Sequence, residues 1–385
     1  MSRDNHHKYI HSTTRVESPF QKMAVILLEI IRLILAAVFI FSGFVKAIDP
    51  LGSTYKFEDY LTAFGGFFSQ LTFLAFPAAI ALSTLELVIG LCFLLKVKLK
   101  TTSLIALLFM AIMLPLTLYV AVMNPVTDCG CFGDALIISN WATFYKNIVL
   151  TAFVFLLLIF GGKLRTLFLP AVEWIMLLVF VVAGVGLSVF SYRNLPMIDF
   201  RPYKVGVNIP EAMKIPEGMP MDKYDTKLIY MKDGVSQEFT LENYPKNDST
   251  WTFVEQKSTL IQKGYEPPIH NFTLVDSNRN DITDEVLHHR GKVHLLIMYD
   301  IQKTAEKGTA KTEELYRQAK ANGELFYALT ASPDEEIAEF SKQHNVTYPF
   351  CKTDPITLKT IVRANPGLMT IENGVITGKW NWRDF

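Results

Sequence analysis

The chain has 385 residues, half of them hydrophobic and 19% charged, against about 25% charged in ordinary soluble domains, and its mean hydropathy is +0.24. A water-soluble globule of ordinary composition is excluded. Lys and Arg total 37, as do Asp and Glu, which removes any global electrostatic case for nucleic acid as a partner. Four cysteines are too few for a disulfide scaffold, so cysteine here points to chemistry rather than to stapling.

The apolar residues are concentrated in the first half. Five stretches, 23–45, 75–95, 102–123, 147–162 and 171–191, approach the roughly 20 apolar residues that cross a bilayer core. The first is too long for a signal peptide and is followed by four similar segments, so it reads as a retained helix. Basic residues set the orientation. Arg3, Lys8, Arg15 and Lys22 precede the first span, Lys96, Lys98 and Lys100 lie between the second and third, and Lys163 and Arg165 lie between the fourth and fifth. Three connections thus agree on one cytoplasmic side. The expectation is a multi-pass protein of the plasma (inner) membrane, in contact with lipid, with a cytoplasmic tail over 1–22 and an extracytoplasmic or periplasmic C-terminal domain.

After residue 191 the composition becomes polar. Residues 192–265 read as an extracytoplasmic linker carrying a small β-hairpin unit, with Asp233-Gly234 as a turn. From 266 to 385 the order is strand (271–275), short helix, strand (293–299), helix (303–322), strand (325–330) and helix (333–344). A Pro-rich bend, a helix (355–363) and two closing strands (367–371, 375–380) complete it. The alternation predicts helices around a mixed sheet.

The sharpest motif is Asp128-Cys129-Gly130-Cys131-Phe132-Gly133-Asp134, just beyond the third span. Glycine between the cysteines lets the backbone bend so that the sulfurs approach. A bond closed over one residue departs from relaxed geometry and is the more easily reduced, which suits passing on oxidising equivalents. The motif also admits a structural turn with unpaired thiols. A metal or cluster site would have only two soft ligands and no neighbouring histidine, so no metal is expected. Asp128 and Asp134 are expected to raise the thiol pKa values, which fits a pair that is attacked rather than one that attacks.

Ionisable groups inside spans are functional candidates. Glu86 lies near the middle of the second span, and Arg32 lies well inside the first with Glu29 one turn earlier. Arg32 is read as half of a buried ion pair, with Glu86 or with Glu29, that holds the bundle, or Arg32 and Glu86 are read as a charge or proton device beside a quinone head group. Lys46, at the outer end of the first span, is placed to snorkel to the surface. Glu173 reads as interfacial. Cys92 reads as a small hydrophobe in its helix. Cys351 reads as a packed thiol near a strand end, or as an exchange partner for the Cys129/Cys131 pair.

Through Arg32, Ser42-Gly43-x-x-Lys46, Glu86 and the Cys129-Gly130-Cys131-Phe132-Gly133 loop, residues 23–165 resemble the DoxX/MauE superfamily, the loop resembling the MauE branch in particular. The resemblance implies a four-helix membrane domain with redox or maturation work, here followed by a fifth helix at 171–191. MauE is associated with maturation of methylamine dehydrogenase, whose small subunit is rich in disulfides. The bundle also resembles that of vitamin K epoxide reductase, where cysteines hand electrons to a quinone, although that enzyme uses more cysteines than the membrane half offers here. Residues 266–385 resemble the thioredoxin/peroxiredoxin-like fold through Pro267-Pro268-x-x-Asn271-Phe272-Thr273-Leu274 and through Asn365-Pro366-Gly367 before the final Asn373-Gly374 turn. That resemblance implies a cis Pro366 beside a peptide-binding groove. The place of Cys-x-x-Cys, however, is taken by Asp300-Ile301-Gln302-Lys303.

Two functions follow. The first is a membrane-embedded thiol–disulfide redox or maturation factor, in which Cys129 and Cys131 exchange with an extracytoplasmic protein client or thiol carrier and electrons pass to a quinone. The second is a non-enzymatic anchor or assembly protein that binds a partner through the degenerate thioredoxin-like domain.

Overall fold

The computed structural model describes residues 19–385 apart from Thr127, Asp222, Asn247 and Lys263. The tail residues Arg3, Lys8 and Arg15 lie outside the described residues. The chain divides into two compact units between Phe200 and Arg201.

The first unit is helical: α1 (Pro19–Ile48), α2 (Pro50–Phe64), α3 (Ala75–Leu95), α4 (Leu99–Met123), α5 (Asn140–Phe160) and α6 (Pro170–Arg193). A 3-10 stretch over Phe68–Leu74 leads into α3, and five of these segments are long and apolar enough to cross a membrane. Their outward faces carry exposed Ile112, Leu178 and Val182, surface that lipid covers. Leu35 and Phe39 of α1, Phe93 of α3, Met110 of α4 and Val154 of α5 share one buried cluster. These four helices make the core, and α6 packs on α1 and α3.

Two glycines set the tightest contact in the bundle. A Cβ on Gly43 of α1 would lie 2.4 Å from the Leu87 nitrogen, and one on Gly90 of α3 would lie 2.5 Å from the Ile40 nitrogen. Backbone therefore meets backbone, as small residues allow in membrane helix pairs. The same pairs show that the helices run antiparallel and put Glu86 level with Ser42.

Helix α2 falls between the first two apolar runs, where the sequence carries no signal of a span. Its start is specified locally: the Asp49 side chain accepts from the Gly52 N–H, Pro50 occupies the first turn, and Gly65 ends the helix at a φ of 64°.

The second unit begins with the short helix α7 (Ile209–Ala212). It then forms a three-stranded antiparallel sheet of β1 (Lys223–Lys232), β2 (Val235–Thr240) and β3 (Thr252–Gln262) in the order β2-β1-β3. Asp233 and Gly234, with φ of 52° and 78°, make the expected turn. The unit is thus three strands rather than a hairpin, joined on one face by edge-to-face contacts of Tyr230 with Phe239 and Phe253.

The C-terminal α/β domain follows with α8 (Thr283–Leu287), β4 (Lys292–Ile297), α9 (Glu306–Ala321), β5 (Leu325–Thr330), α10 (Asp334–His344), β6 (Phe350–Lys352), α11 (Pro355–Ile361), β7 (Gly367–Glu372) and β8 (Val375–Asn381). The sheet order is β6-β5-β4-β7-β8. β4, β5 and β6 are parallel, and the β7–β8 hairpin is joined antiparallel to β4. A mixed sheet with helices and a cis Asn365–Pro366 bond leading into β7 is what the thioredoxin-like resemblance implies.

Two elements differ from the sequence reading. Residues 271–275 form no strand: Asn271 sits at a φ of 58°, and the Leu274 N–H is taken by the Thr283 hydroxyl at 2.8 Å. Only Val275 pairs, by isolated bridges to Asp281 and Lys352. The strand on that side is instead β6, three residues long after Pro349 and too short to leave a periodic signal.

Candidate functional site

The site lies at the end of the bundle where α1 stops and α3 begins. One turn separates Ser42 and Lys46 on a single face of α1, and the Gly43 contact brings α3 close enough for both to reach Glu86. The Lys46 ammonium donates to the Glu86 carboxylate at 2.8 Å (Oε1) and 2.7 Å (Oε2) and to Ser42 Oγ at 2.9 Å. Lys46 is 8% exposed and Glu86 4%. A buried pair of this kind holds only when its donors and acceptors are matched, and here all three ammonium protons have partners. The Lys46 side chain therefore turns inward rather than snorkelling.

Ser42 links this pair to the cysteine loop. Its hydroxyl lies 2.8 Å from Glu86 Oε2 and 2.7 Å from the Cys131 carbonyl oxygen, both acceptors for its proton. Helix α2 holds the loop from the other side. The Tyr60 hydroxyl donates to the Cys129 carbonyl at 3.0 Å, and the Lys56 ammonium pairs with Asp128 at 2.8 Å. Within the loop, the other Asp128 oxygen accepts from the Gly130 N–H at 2.8 Å, and the Gly133 N–H closes a turn on the Gly130 carbonyl at 3.1 Å. Gly130 has a φ of 66°, and a Cβ there would press on the Lys56 side chain at 3.2 Å. Only glycine meets both conditions without cost.

The result is two half-buried sulfurs 3.0 Å apart and unbonded, about 1 Å beyond a covalent S–S distance. Both line a cavity of about 110 Å³ that runs into the bundle between Phe39, Phe109, Met110 and Leu150. Lys146 of α5 also lines it, with its ammonium 4.4 Å from the centre of the Phe132 ring.

The charges beside the sulfurs differ from the sequence expectation. Asp128 is neutralised by Lys56 and turned onto the loop backbone. Cations face Cys131 instead. The hydrogen bond from Cys129 holds the Cys131 thiol below its ordinary pKa, with Lys146 and Lys46 acting in the same direction against burial. That same hydrogen bond, together with burial, pushes the Cys129 thiol up. Burial also raises the Tyr60 phenol, so it stays a donor.

The other predicted residues are elsewhere. Arg32 is not brought to Glu86. Its guanidinium pairs with Glu29 at 2.8 Å and donates to the Phe93 and Leu94 carbonyls, capping the end of α3. Lys96 completes that cluster on Glu29. Glu173 is buried and pairs with Lys98 at 3.4 Å. Cys92 is buried in α3. Cys351 is buried in β6, and burial pushes its thiol up to about 12. Neither access nor ionisation suits it to exchange.

Pro366 is itself buried, and a Cβ on Gly308 would touch its ring at 3.0 Å. The neighbouring Asn365 amide donates to the Asp300 carbonyl at 2.6 Å, and its carbonyl accepts from the Ala305 N–H at 2.9 Å. The Asp300–Lys303 turn is thus tied to the proline segment, and the ring does not line an open groove. Among the described residues no group of three His, Cys, Asp or Glu side chains is placed to hold a metal ion.

Every residue of the cysteine site falls within one recognisable segment. Residues 24–160 match the family of the methylamine utilisation protein MauE. The MauE-like domain therefore contains the Ser42-Gly43-x-x-Lys46 motif, Glu86 and the Cys129-Gly130-Cys131 loop together. Residues 224–263, the three-stranded sheet, match a domain of unknown function, DUF8463. No curated protein matches the chain. Among solved structures, the chain is similar to the solution structure of a candidate protein disulfide isomerase from Bacteroides thetaiotaomicron, at 16% identity and a TM-score of 0.24, covering 29% of this chain and 76% of that one.

Proposed function

We propose that the MauE-like domain carries out thiol–disulfide exchange through Cys129 and Cys131 in the maturation of extracytoplasmic proteins. The observation that carries this reading is the pair of sulfurs within bonding reach on the wall of a membrane cavity, in a loop clamped by Ser42, Lys56 and Tyr60. The basic connections at the opposite end of the bundle support placing the loop outside the cytoplasm, where disulfides persist.

With the pair oxidised, a client thiolate attacks the Cys129 sulfur. The Cys129–Cys131 bond breaks and Cys131 leaves as a thiolate. A second client thiolate attacks the client sulfur of the mixed disulfide and expels Cys129. The client has then lost two electrons and two protons, and the pair has gained them as two thiols. The Lys46–Glu86 pair, through Ser42, fixes the Cys131 carbonyl during these steps and keeps the charge around the loop balanced.

Return to the oxidised state needs a two-electron acceptor. The cavity's chemistry fits a quinone, with aromatic and aliphatic walls and with Lys146 and Asn147 among the residues that line it together with the cysteines. A quinone bound there would supply a two-electron, two-proton acceptor dissolved in the membrane.

Single-cysteine trapping tests the exchange. In Cys131→Ser the lone Cys129 thiolate can run the exchange in reverse, attacking an oxidised partner's disulfide and expelling one partner thiolate. The Cys131 thiol that would displace the partner from Cys129 is missing, so this variant is expected to accumulate mixed disulfides on non-reducing gels. Cys129→Ser should accumulate fewer, and the double variant none. If neither single variant captures a partner or alters the redox state of any protein, the reading is wrong.

A further inference from the structure

Three ammonium groups line the cavity beside the sulfurs, those of Lys46, Lys56 and Lys146. Lys46 is fully engaged by Ser42 and Glu86, and Lys56 is paired with Asp128. Lys146 differs. It sits half-buried in the second turn of α5, and its ammonium lies over the face of Phe132, the residue after Cys131. No carboxylate among the described residues pairs with it.

A half-buried cation without a counter-ion, on a largely apolar wall, is costly until a negative charge forms beside it. The charges facing Cys131 otherwise cancel. Lys46 and Glu86, from α1 and α3, form one neutral pair. Lys56 of α2 and Asp128 form another. Tyr60 is held as the phenol, and the Cys129 sulfur lies 3.0 Å from that of Cys131. Lys146 is left without an ion-pair partner among the described residues, and a sulfur lining the same cavity becomes negative during exchange.

We infer that Lys146 is a positioning residue for the exchange: its ammonium holds the Cys131 sulfur as the anion, making Cys131 the leaving group and Cys129 the sulfur that partners attack. The assignment rests on the exchange reading above. In balance, the bond to Cys131 breaks with both electrons going to its sulfur, the new bond joins the client to Cys129, and Lys146 stabilises the expelled thiolate without giving up its proton. The chemistry gains because a lower leaving-group pKa speeds the break. An aromatic contact rather than a salt bridge keeps the ammonium available.

The test is the pH profile of alkylation of the reduced full-length protein in nanodiscs, using iodoacetamide and reading each cysteine by mass spectrometry. In the wild type and in Lys146→Arg, Cys131 is expected to react ahead of Cys129, with a midpoint below the roughly 8.5 of a free thiol. In Lys146→Met and Lys146→Gln the Cys131 midpoint should rise by about one unit or more, slowing its labelling at pH 7 about tenfold. The use of two neutral replacements keeps the test valid if one of them fails to fold. A Cys131 profile unchanged in a folded neutral variant would overturn the assignment. A Lys146-dependent profile in a protein that never captures a partner would uphold this assignment while removing the exchange reading. Partner capture with a Lys146-independent profile would overturn this assignment alone.

Discussion

Lys46→Met is expected to destabilise the MauE-like domain by about 3–5 kcal/mol, the cost of leaving one member of a buried ion pair uncompensated. Removing the ammonium strips Glu86 of its two short contacts and Ser42 of its donor, and leaves a carboxylate 4% exposed without its counter-ion. The double variant Lys46→Met/Glu86→Leu removes both charges and should recover most of the loss, because two well-packed apolar groups can replace a buried pair at little net cost. Denaturation of the detergent-solubilised protein, followed by circular dichroism, reads both effects. A single variant as stable as the wild type would show that the pair does not hold this end of the bundle.

Gly43→Ala is expected to be nearly as severe, although it adds one methyl group. The new Cβ would meet the Leu87 nitrogen at 2.4 Å and its Cα at 2.8 Å, and backbone atoms cannot rotate aside as a side chain can. The helices must separate, with an overpacking cost of about 1–3 kcal/mol or more. Ser42 and Lys46 then lose reach to Glu86, and the Cys131 carbonyl loses its anchor, so exchange should fall with stability. Gly186→Ala in α6, where a Cβ meets nothing within 4 Å, is the control and should be tolerated. Thermal unfolding together with partner capture separates the two. Gly43→Ala with normal capture would mean that the close helix contact does not position the site.

The spans and the cysteine loop were legible because each has a strong local signal, a long apolar run in one case and two thiols around a glycine in the other. The partner of Glu86 was not. Arg32 and Lys46 both lie on α1, and the choice between them depends on the register of α1 against α3, a tertiary fact. The contacts of Gly43 and Gly90 set that register, and Arg32, ten residues before Ser42, is then about 15 Å away along the helix, at the far end of α3.

Helix α2 escaped because it is short and carries polar residues. Its markers were Asp49-Pro50 at the start and Gly65-Gly66 at the end. Lys146 escaped because the apolar run of the fourth span begins only after it, at 147. Ser139, whose hydroxyl accepts from the Ala142 N–H, starts α5 earlier and brings Lys146 inside it. The groove expected at Pro366 failed for a different reason. The proline is cis, but the packing of α9 at Gly308 and the hydrogen bonds of Asn365 close around it, and neither can be read from the Asn-Pro-Gly sequence.

The most direct test of the account is mass-spectrometric mapping of the bond between Cys129 and Cys131 in native membranes under graded reduction. A disulfide that opens and re-forms reversibly, while Cys92 and Cys351 remain thiols throughout, is the expected result. Two sulfurs that stay reduced in living cells under every condition, or that hold a metal ion between them, would contradict it.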